Sequence, residues 1–288
     1  MFRYIYKKIL GRLPPHLRVS LQYFRVFKEF PNLDNPQTLN EKILRRIFFE
    51  KDPNFAFYAD KYAVRKYIVE TIGEKYLVPL LAVYNNAKEL SELKEWENIV
   101  IKPNHGAGMV KIIDHELSLD GKKEIIRNAE QWLDFDFGRY TGEWHYSRIK
   151  PKLLVEEKIT ALGESLRDYK FHRFTQQDGS FKQILQIIAE RSEDGFETSF
   201  FDLNDLDTII HSPFGYEVKL SDYEKDKIKA IEKLNMMICT EIDYVRLDWY
   251  ITSKSIYFGE ITLTPGAGLS PNFDGDFGLK LGQLWSGV

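Results

Sequence analysis

The spacing of hydrophobic residues changes along the chain and separates a helical first part from a later part rich in β-strands. Apolar residues recur at helical intervals over residues 41–50, where Thr38 or Asn40 can cap the helix, and again over 60–72. A longer helix is predicted over 119–134. The first ninety or so residues are therefore expected to be mostly helical.

Alternation of apolar and polar positions becomes the main pattern after about residue 150 and predicts β-strands. Strands are predicted over 153–159, 168–175 and 181–191, with a hairpin turn at 176–180, one helix over 223–240 and a closing hairpin over 244–264. The aromatic and polar segment 138–150 has no period, which is typical of a loop or lid. This order of elements predicts an α+β chain of two or three tightly joined subdomains.

A lysine and a glycine-containing loop follow the first predicted strand, in IVIKPNHGAGMVKI (residues 99–112). Lys102 lies at the end of the strand, and Gly106 and Gly108 let backbone amides crowd together because they have no side chain. A cation beside such amides suits a polyphosphate. The loop is not a Walker loop, since no Gly-Lys-Ser/Thr ends it and no helix follows directly.

Two acidic residues are expected to face each other in the closing hairpin, YVRLDWYI and IYFGEITLT. If Thr252 pairs with Ile256, Asp248 lies opposite Glu260, about 5 Å away at Cβ. Two carboxylates at that distance repel each other, and a divalent cation such as Mg²⁺ removes the conflict. The alternative is a solvent-exposed sheet face on which Arg246 bridges the two carboxylates. The loop TPGAG (264–268) follows directly and offers a second set of closely spaced amides.

The composition excludes several classes of protein. The chain has 288 residues, of which 43% are hydrophobic and 29% charged, and its net charge of -3 does not indicate a nucleic-acid partner. The single cysteine, Cys239, excludes an internal disulfide and fits a reducing compartment. No apolar stretch reaches the ~18 residues that a membrane span needs. These features favour a cytoplasmic protein.

The N-terminal segment is basic and amphipathic. Residues 1–28 contain seven basic residues and no acidic one: Arg3, Lys7, Lys8, Arg12, Arg18, Arg25 and Lys28. Large apolar residues alternate with them, so the segment can lie on an anionic membrane surface. The alternative is that its apolar side packs on the protein and its charges face water.

Six short motifs, in order, resemble the TupA-like branch of the ATP-grasp superfamily, which is associated with teichuronopeptide and polysaccharide synthesis. They are TLNEKI, ADKYAVRKYI, IVIKPNHGAG, LLVEEKI with DYKF, VRLDWY and FGEITLTPGAG, and the match extends from about Asn40 to Trp285. The resemblance implies an ATP-grasp fold, with two α+β subdomains gripping ATP after a helical N-terminal region. The expected divisions are 1–95 (helical), 96–160 (small subdomain with the glycine loop) and 161–288 (large subdomain with the metal-binding hairpin).

The resemblance also assigns roles by position. The residues expected at the ATP phosphates are Lys61, Lys102, Asn104, Gly106 and Gly108; those expected at the adenine and the ribose are Glu156 and Glu157 in the hinge strand and Asp168 at the ribose. The expected Mg²⁺ ligands are Asp248, Glu260 and Thr262. The residues expected to take part in catalysis are Arg246, Lys170 and His105. Thr262 stands where the superfamily usually has Asn, and its hydroxyl is a weaker magnesium ligand. His105 is expected to act as a base for the amine, or else only as a hydrogen-bonding loop residue.

The implied activity is that of an ATP-dependent carboxylate–amine ligase that forms an amide through an acyl phosphate. Its expected substrates are a uronic acid or peptide carboxylate, free or polymer-linked, and an amine, in the synthesis of capsule, O-antigen or teichuronopeptide-type polymers. Arg139, Arg148, Arg173 and Arg191 are candidates for binding a carboxylate or an acidic sugar. A sugar kinase is the alternative, and a glycosyltransferase is third because no Asp-x-Asp motif is present at a strand end.

Overall fold

The computed structural model describes residues 13–163, 166–192 and 195–286. Within these ranges the helices are α1 (Pro15–Phe27), α2 (Leu39–Phe49), α3 (Asn54–Ala59), α4 (Val64–Thr71), α5 (Leu119–Asp134), α6 (Phe137–Thr141), α7 (Asp222–Asn235) and α8 (Gly275–Leu284). The strands are β1 (Leu80–Tyr84), β2 (Ile99–Pro103), β3 (Lys111–Ile113), β4 (Leu153–Glu157), β5 (Asp168–Thr175), β6 (Phe181–Ser192), β7 (Gly195–Asp202), β8 (Asp205–His211), β9 (Tyr244–Ile251) and β10 (Ile256–Thr262). Short 3₁₀ turns lie at Glu74–Tyr76, Ala87–Glu92, Tyr146–Arg148, Pro265–Gly268 and Pro271–Phe273. The first twelve residues of the basic N-terminal segment lie outside the described part.

The strands form two antiparallel sheets. The smaller sheet has four strands in the order β1-β4-β2-β3, and the larger has six in the order β10-β9-β5-β6-β7-β8. β1 lies in the region expected to be helical and pairs with β4, so the smaller sheet takes one strand from residues 1–95. The subdomain boundaries stay a prediction.

Several predicted helices are confirmed, and their ends have local causes. Thr38 caps α2, and Glu41 completes a capping box with the Thr38 backbone. α5 spans the predicted residues. The helix predicted over 223–240 ends at Asn235. There the Arg173 guanidinium donates hydrogen bonds to the Asn235 carbonyl, at 2.9 Å, and to the Ile238 carbonyl.

The larger sheet has apolar cores on both of its faces. On one face, residues such as Leu247 and Trp249 pack against Ile228 and Ile231 of α7. On the other face, Tyr244 and its neighbours pack against α1, α2 and α8. The smaller sheet has its own core with α5. Tyr244 and Arg246 are two residues apart and therefore lie on the same face of β9. The core that contains Tyr244 ends on this face where the polar residues of the hairpin begin.

Arg46 ties α2 to the base of the closing hairpin. Its side chain is 1% exposed and donates to the backbone carbonyls of Tyr244 at 2.7 Å and Leu263 at 3.2 Å. It also pairs with the Asp243 carboxylate and lies 4.3 Å from the centroid of the Trp285 ring. One buried guanidinium therefore fixes the start of β9 and the segment just after β10 to the same helix.

A β-bulge sets the register of the closing hairpin. Ile256 pairs with Ile251, so the expected pairing with Thr252 is wrong; the register then shifts by one residue between Phe258 and Glu260. This shift brings Glu260 opposite Asp248, as expected. The extra residue is Gly259, where an added Cβ would lie 3.1 Å from the Asp248 carbonyl oxygen. The bulge therefore re-aims the Glu260 side chain at a position where glycine fits best.

Within the described ranges, no helix is both long enough and apolar enough to cross a membrane.

Two helical glycines are expected to respond oppositely to substitution by alanine. A Cβ at Gly282 would overlap the Gln37 carbonyl at the start of α2, whereas at Gly121 the nearest atom is 3.4 Å away. We expect Gly282→Ala to lower the free energy of unfolding by about 2 kcal/mol or more, and Gly121→Ala to leave it unchanged or raise it by up to about 1 kcal/mol. Urea unfolding measures both. Equal effects would contradict the close packing of α8 on α2.

Candidate active site

A buried ion network lies on the polar face of the closing hairpin. Arg246 makes a bidentate contact with Asp248, at 2.7 and 2.8 Å, and reaches Glu260 at 3.4 Å. Lys170, on the neighbouring strand β5, donates to Asp248 at 2.6 Å. Lys61 reaches the other oxygen of Glu260 at 3.1 Å. The two carboxylates are thus shared among three cations from distant parts of the sequence.

The cations keep the Glu260 carboxylate ionised. Burial alone would raise the pKa of Glu260, but Lys61, Arg246 and Lys170 lower it to about 2. Burial disfavours the charged guanidinium of Arg246, yet Asp248 and Glu260 raise its pKa above the usual value. The Arg–Asp–Glu bridge considered as the alternative is therefore present, but it is largely buried, with Asp248 4% exposed and the Arg246 and Glu260 side chains 14% and 26% exposed. Burying this much charge requires a dense set of partners.

A crevice between the two sheets adjoins this network. It is lined by Lys61, Val64, Arg65, Leu77, Val78, Lys102, Glu156, Tyr250, Phe258 and Gly259. Lys102 of β2 contacts one oxygen of Glu156 at 2.6 Å, and Arg65 contacts the other at 3.1 Å. The crevice therefore has cations on both walls and apolar side chains between them, which suits a ligand with both a charged and a planar part.

The glycine loop is bonded to Lys61, which lines the same crevice. Gly106 and Gly108 adopt positive φ angles of 69° and 76°, which favour glycine. The Lys61 side chain donates to the Gly106 carbonyl at 2.6 Å. Asn104 is fully buried; its amide donates to Asp60 at 2.9 Å, and its backbone carbonyl accepts from the Lys61 N–H at 2.9 Å. Asn104 therefore fixes the loop to the turn that carries Lys61.

Other predicted residues lie at varied distances from this centre. Asp168 lies 3.9 Å from Lys170, and Thr262 accepts from Arg246 at 3.1 Å, so both belong to the network. Glu157 points away, because alternation along β4 buries Glu156 and exposes its neighbour. His105 is buried, with Nε2 3.2 Å from the Phe135 carbonyl, and burial lowers its pKa, so it stays neutral at neutral pH.

Of the four arginines considered for acidic sugars, Arg173 has a clear structural role, and the side chain of Arg191 lies outside the described part. Arg173 is fully buried, and its hydrogen bonds go to the backbone carbonyl of the last residue of α7 and to carbonyls just beyond it. It therefore supports α7 and does not face the crevice. Arg148 is exposed, and the Arg139 carbonyl accepts from Arg18 of α1.

Three residues of the site were not found from the sequence. Tyr250 and Arg65 line the crevice, and the buried Glu143 accepts a hydrogen bond from Thr264. Burial raises the pKa of Glu143 to about 7, with opposing effects from Thr264, Thr141 and Arg246 and a further rise from Glu260. The alternation of β9, which places Tyr250 on the face of Asp248, was an available signal. The Glu143–Thr264 contact joins residues 121 positions apart and left no local pattern.

The donor set of the network fits Mg²⁺ held together with phosphate. Asp248, Glu260 and Thr262 offer hard oxygen ligands, and protein Mg²⁺ sites commonly use one or two carboxylates with substrate phosphates completing the shell. The described residues contain no group of three or more His, Cys, Asp and Glu side chains able to hold a metal alone. The chain therefore supplies part of a coordination shell beside three lysines suited to phosphate.

The two sheets enclose a cationic crevice beside a carboxylate hairpin, and this fold is shared with a solved ligase structure. The D-alanine–D-alanine ligase of Helicobacter pylori aligns with a TM-score of 0.51 at 17% identity, over 81% of this chain and 61% of that one. The L-amino acid ligase of Bacillus licheniformis aligns with a TM-score of 0.49 at 14% identity, over 88% and 55%. The first similarity shows the fold, and the chain spans less than two thirds of the length of either enzyme.

The family is shown by sequence. The family model described as TupA-like ATPgrasp matches residues 40–286, so the chain belongs to the TupA-like ATP-grasp family. The resemblance stated from the motifs and the expected α+β ATP-grasp fold are both confirmed. No curated protein matches the chain.

The raised pKa of Glu143 predicts a pH-dependent stability. Between its usual value of 4.5 and about 7, the native protein holds a proton that the unfolded chain has released, so stability falls as the pH rises through this window. Over the whole window this costs about 3 kcal/mol. Glu143→Gln keeps an acceptor for Thr264 and removes the titration. Its free energy of unfolding, relative to wild type, is expected to rise between pH 5 and pH 8.

Urea unfolding at the two pH values tests this expectation, with the exposed Glu124→Gln as the control. A pH response of Glu143→Gln equal to that of wild type would contradict the assignment.

Proposed function

We propose that this protein is an ATP-dependent carboxylate–amine ligase. The observation that carries the proposal is the convergence of Lys61, Lys170 and Arg246 on the Asp248–Glu260 pair, next to a crevice walled by Lys102. Four fixed cations around one position stabilise negative charge that moves during phosphoryl transfer. ATP-grasp membership supports the choice of ATP as the phosphoryl donor.

Each residue has a role in this scheme. Lys61, Lys102 and Lys170 hold the phosphates of ATP, and Asp248 and Glu260 would hold Mg²⁺, which would neutralise further phosphate charge. A substrate carboxylate oxygen attacks the γ-phosphorus and ADP leaves, which gives an acyl phosphate. An amine then attacks the carbonyl carbon, and phosphate leaves as the amine loses a proton. Arg246 steadies the charge that develops in both steps.

The proposed substrates are a uronic-acid or peptide carboxylate, free or polymer-linked, and the amine of an amino acid or amino sugar. The TupA-like family assignment supports a place in the synthesis of cell-surface polysaccharides such as capsule, O-antigen or teichuronopeptide-type polymers. We propose that the ligase reaction takes place in the cytoplasm, where ATP is supplied. The basic N-terminal segment is then in peripheral contact with the membrane.

Loss of Lys102 is expected to weaken ATP binding without unfolding the protein, since Glu156 keeps Arg65 as a partner. Mg-ATP at about 100 times its dissociation constant stabilises a native state by about 2.7 kcal/mol, or roughly 5 °C in melting temperature. Lys102→Met should lose at least half of that shift, whereas Lys111→Met, an exposed position on the same hairpin, should keep it. The shift is measured by thermal unfolding of each variant with and without Mg-ATP. Equal shifts would remove Lys102 from the site.

Replacement of Arg246 tests the chemistry itself. Arg246→Lys keeps the charge but loses the bidentate contact with Asp248, so we expect kcat to fall about 100-fold or more. Release of phosphate is measured with Mg-ATP, glucuronate or galacturonate, and a panel of amino acids. The exposed Arg127→Lys is the control.

A ligase releases free phosphate only when the acid and the amine are both present. A stable phosphorylated sugar would instead identify a kinase, and release that depends on neither substrate would contradict the ligase proposal.

A further inference from the structure

Helix α1 is apolar on two sides, although a helix at a protein surface needs only one. Its inner side carries Val19 and Tyr23, which are 0% and 2% exposed and belong to the same core as Ile43 and Ile47 of α2. Arg18, also buried, donates to the Arg139 carbonyl at 2.5 Å. This side fully accounts for the attachment of α1 to the protein.

The outer side carries a second set of large apolar residues. Leu17, Leu21 and Phe24 are 48%, 39% and 43% exposed and lie at i, i+4 and i+7, on one face of the helix. The Phe24 ring stacks on that of Phe30 with centroids 4.9 Å apart, and Phe30 is 61% exposed. We name these four residues the outer stripe. Isolated exposed apolar residues are ordinary, whereas a contiguous set marks an interaction surface.

The charged residues of α1 and its C-cap are all basic, and the nearest acidic residue in sequence is Glu29, directly before Phe30. Arg25 lies in the last turn of α1, and the exposed Lys28 is its C-cap. Seven of the 40 basic residues of the chain and none of its 43 acidic ones lie in residues 1–28, so residues 29–288 carry a net charge of -10. The chain therefore has a basic, apolar end on an acidic body.

This charge distribution selects the partner. A second copy of the chain, docked stripe to stripe, would bring the cations of two α1 helices together. Residues 1–12, folded back over the outer stripe, would bring Arg3, Lys7, Lys8 and Arg12 toward Arg25 and Lys28. An anionic lipid surface takes up both the apolar side chains and the cations, at about 1 kcal/mol for each basic residue near the surface. It also repels the acidic body, which favours one orientation.

We infer that the outer stripe of α1 docks on an anionic phospholipid bilayer, with Leu17, Leu21, Phe24 and Phe30 in the acyl boundary and the surrounding cations at the headgroups. This inference deepens the membrane contact in the proposed function, but it does not depend on ligase chemistry.

The docking helix also contacts a wall of the candidate active site. Beyond the bond from Arg18 to the Arg139 carbonyl, an added Cβ at Gly142 would lie 3.2 Å from Val19. The next residue is Glu143, which binds Thr264 beside the carboxylate hairpin. A bilayer bound at the outer stripe therefore lies against the helix that supports this wall.

Vesicle sedimentation tests the inference with the full chain. The probes are vesicles of phosphatidylcholine alone and of phosphatidylcholine with 30% phosphatidylglycerol. We expect binding to the anionic vesicles to be at least ten times tighter, and to weaken as salt rises, because screening shortens the reach of the cations. The double variant Leu21→Ser/Phe24→Ser is expected to lose a factor of about 10 to 100 in affinity, the equivalent of partial burial of two side chains.

Two matched variants locate the contact. Leu119→Ser removes an apolar residue that is 77% exposed on α5, and it is expected to bind vesicles like wild type. Deletion of residues 1–12 is expected to weaken binding by removing four cations, while leaving the remaining binding sensitive to the double variant. The double variant should retain phosphate release with soluble substrates, so that failure of docking and failure of the ligase proposal are separate results.

The inference is overturned if the double variant binds anionic vesicles as tightly as wild type, or if both vesicle types bind equally. It is also overturned if the deletion abolishes binding that the double variant leaves intact. Light scattering without lipid measures the oligomeric state. If wild type is a dimer and Leu21→Ser/Phe24→Ser is a monomer, the outer stripe binds a second copy of the chain and the inference is overturned.

Discussion

The architecture of this protein depends on how three cations offset the charge of two facing carboxylates inside the fold. Asp248 and Glu260 lie opposite each other on β9 and β10, where two carboxylates repel each other and nearby cations offset the repulsion. Arg246 comes from the same hairpin, Lys170 from the neighbouring strand, and Lys61 from the turn before α4. These ion pairs therefore join parts of the chain that are almost two hundred residues apart. Removing one member of a buried pair leaves the other charge without its partner.

Two further features make this arrangement possible. The bulge at Gly259 rotates Glu260 onto the face of Asp248, and it needs a residue without a Cβ because the backbone of the partner strand is so close. Arg46, from α2, holds the base of the same hairpin through the carbonyls of Tyr244 and Leu263. The N-terminal helices thus pack on the sheet face that carries the network, in an apolar core that adjoins its polar residues.

The sequence predicted features that rest on short-range patterns. The α5 helix, the strand β5 and the facing of Asp248 and Glu260 each follow from periodicity over a few residues. The facing was obtained from a pairing of Thr252 with Ile256 that does not occur, because the one-residue bulge makes up the difference. The hairpin β7–β8 was missed, and so was β1, which forms only by pairing with a strand seventy residues later. Contacts such as Glu143 with Thr264 and Lys61 with Glu260 are decided by tertiary packing, so no local signal reports them.

The double pairing of Glu156 has a consequence for how charge is handled in the crevice. Lys102 and Arg65 each hold one of its two oxygens, at 2.6 and 3.1 Å. When an anion draws Lys102 away, the carboxylate keeps one strong partner, and an arginine remains protonated at any physiological pH. Under the proposed function, an arriving phosphate would replace Glu156 as the partner of Lys102, and Glu156 would keep Arg65 as its own partner.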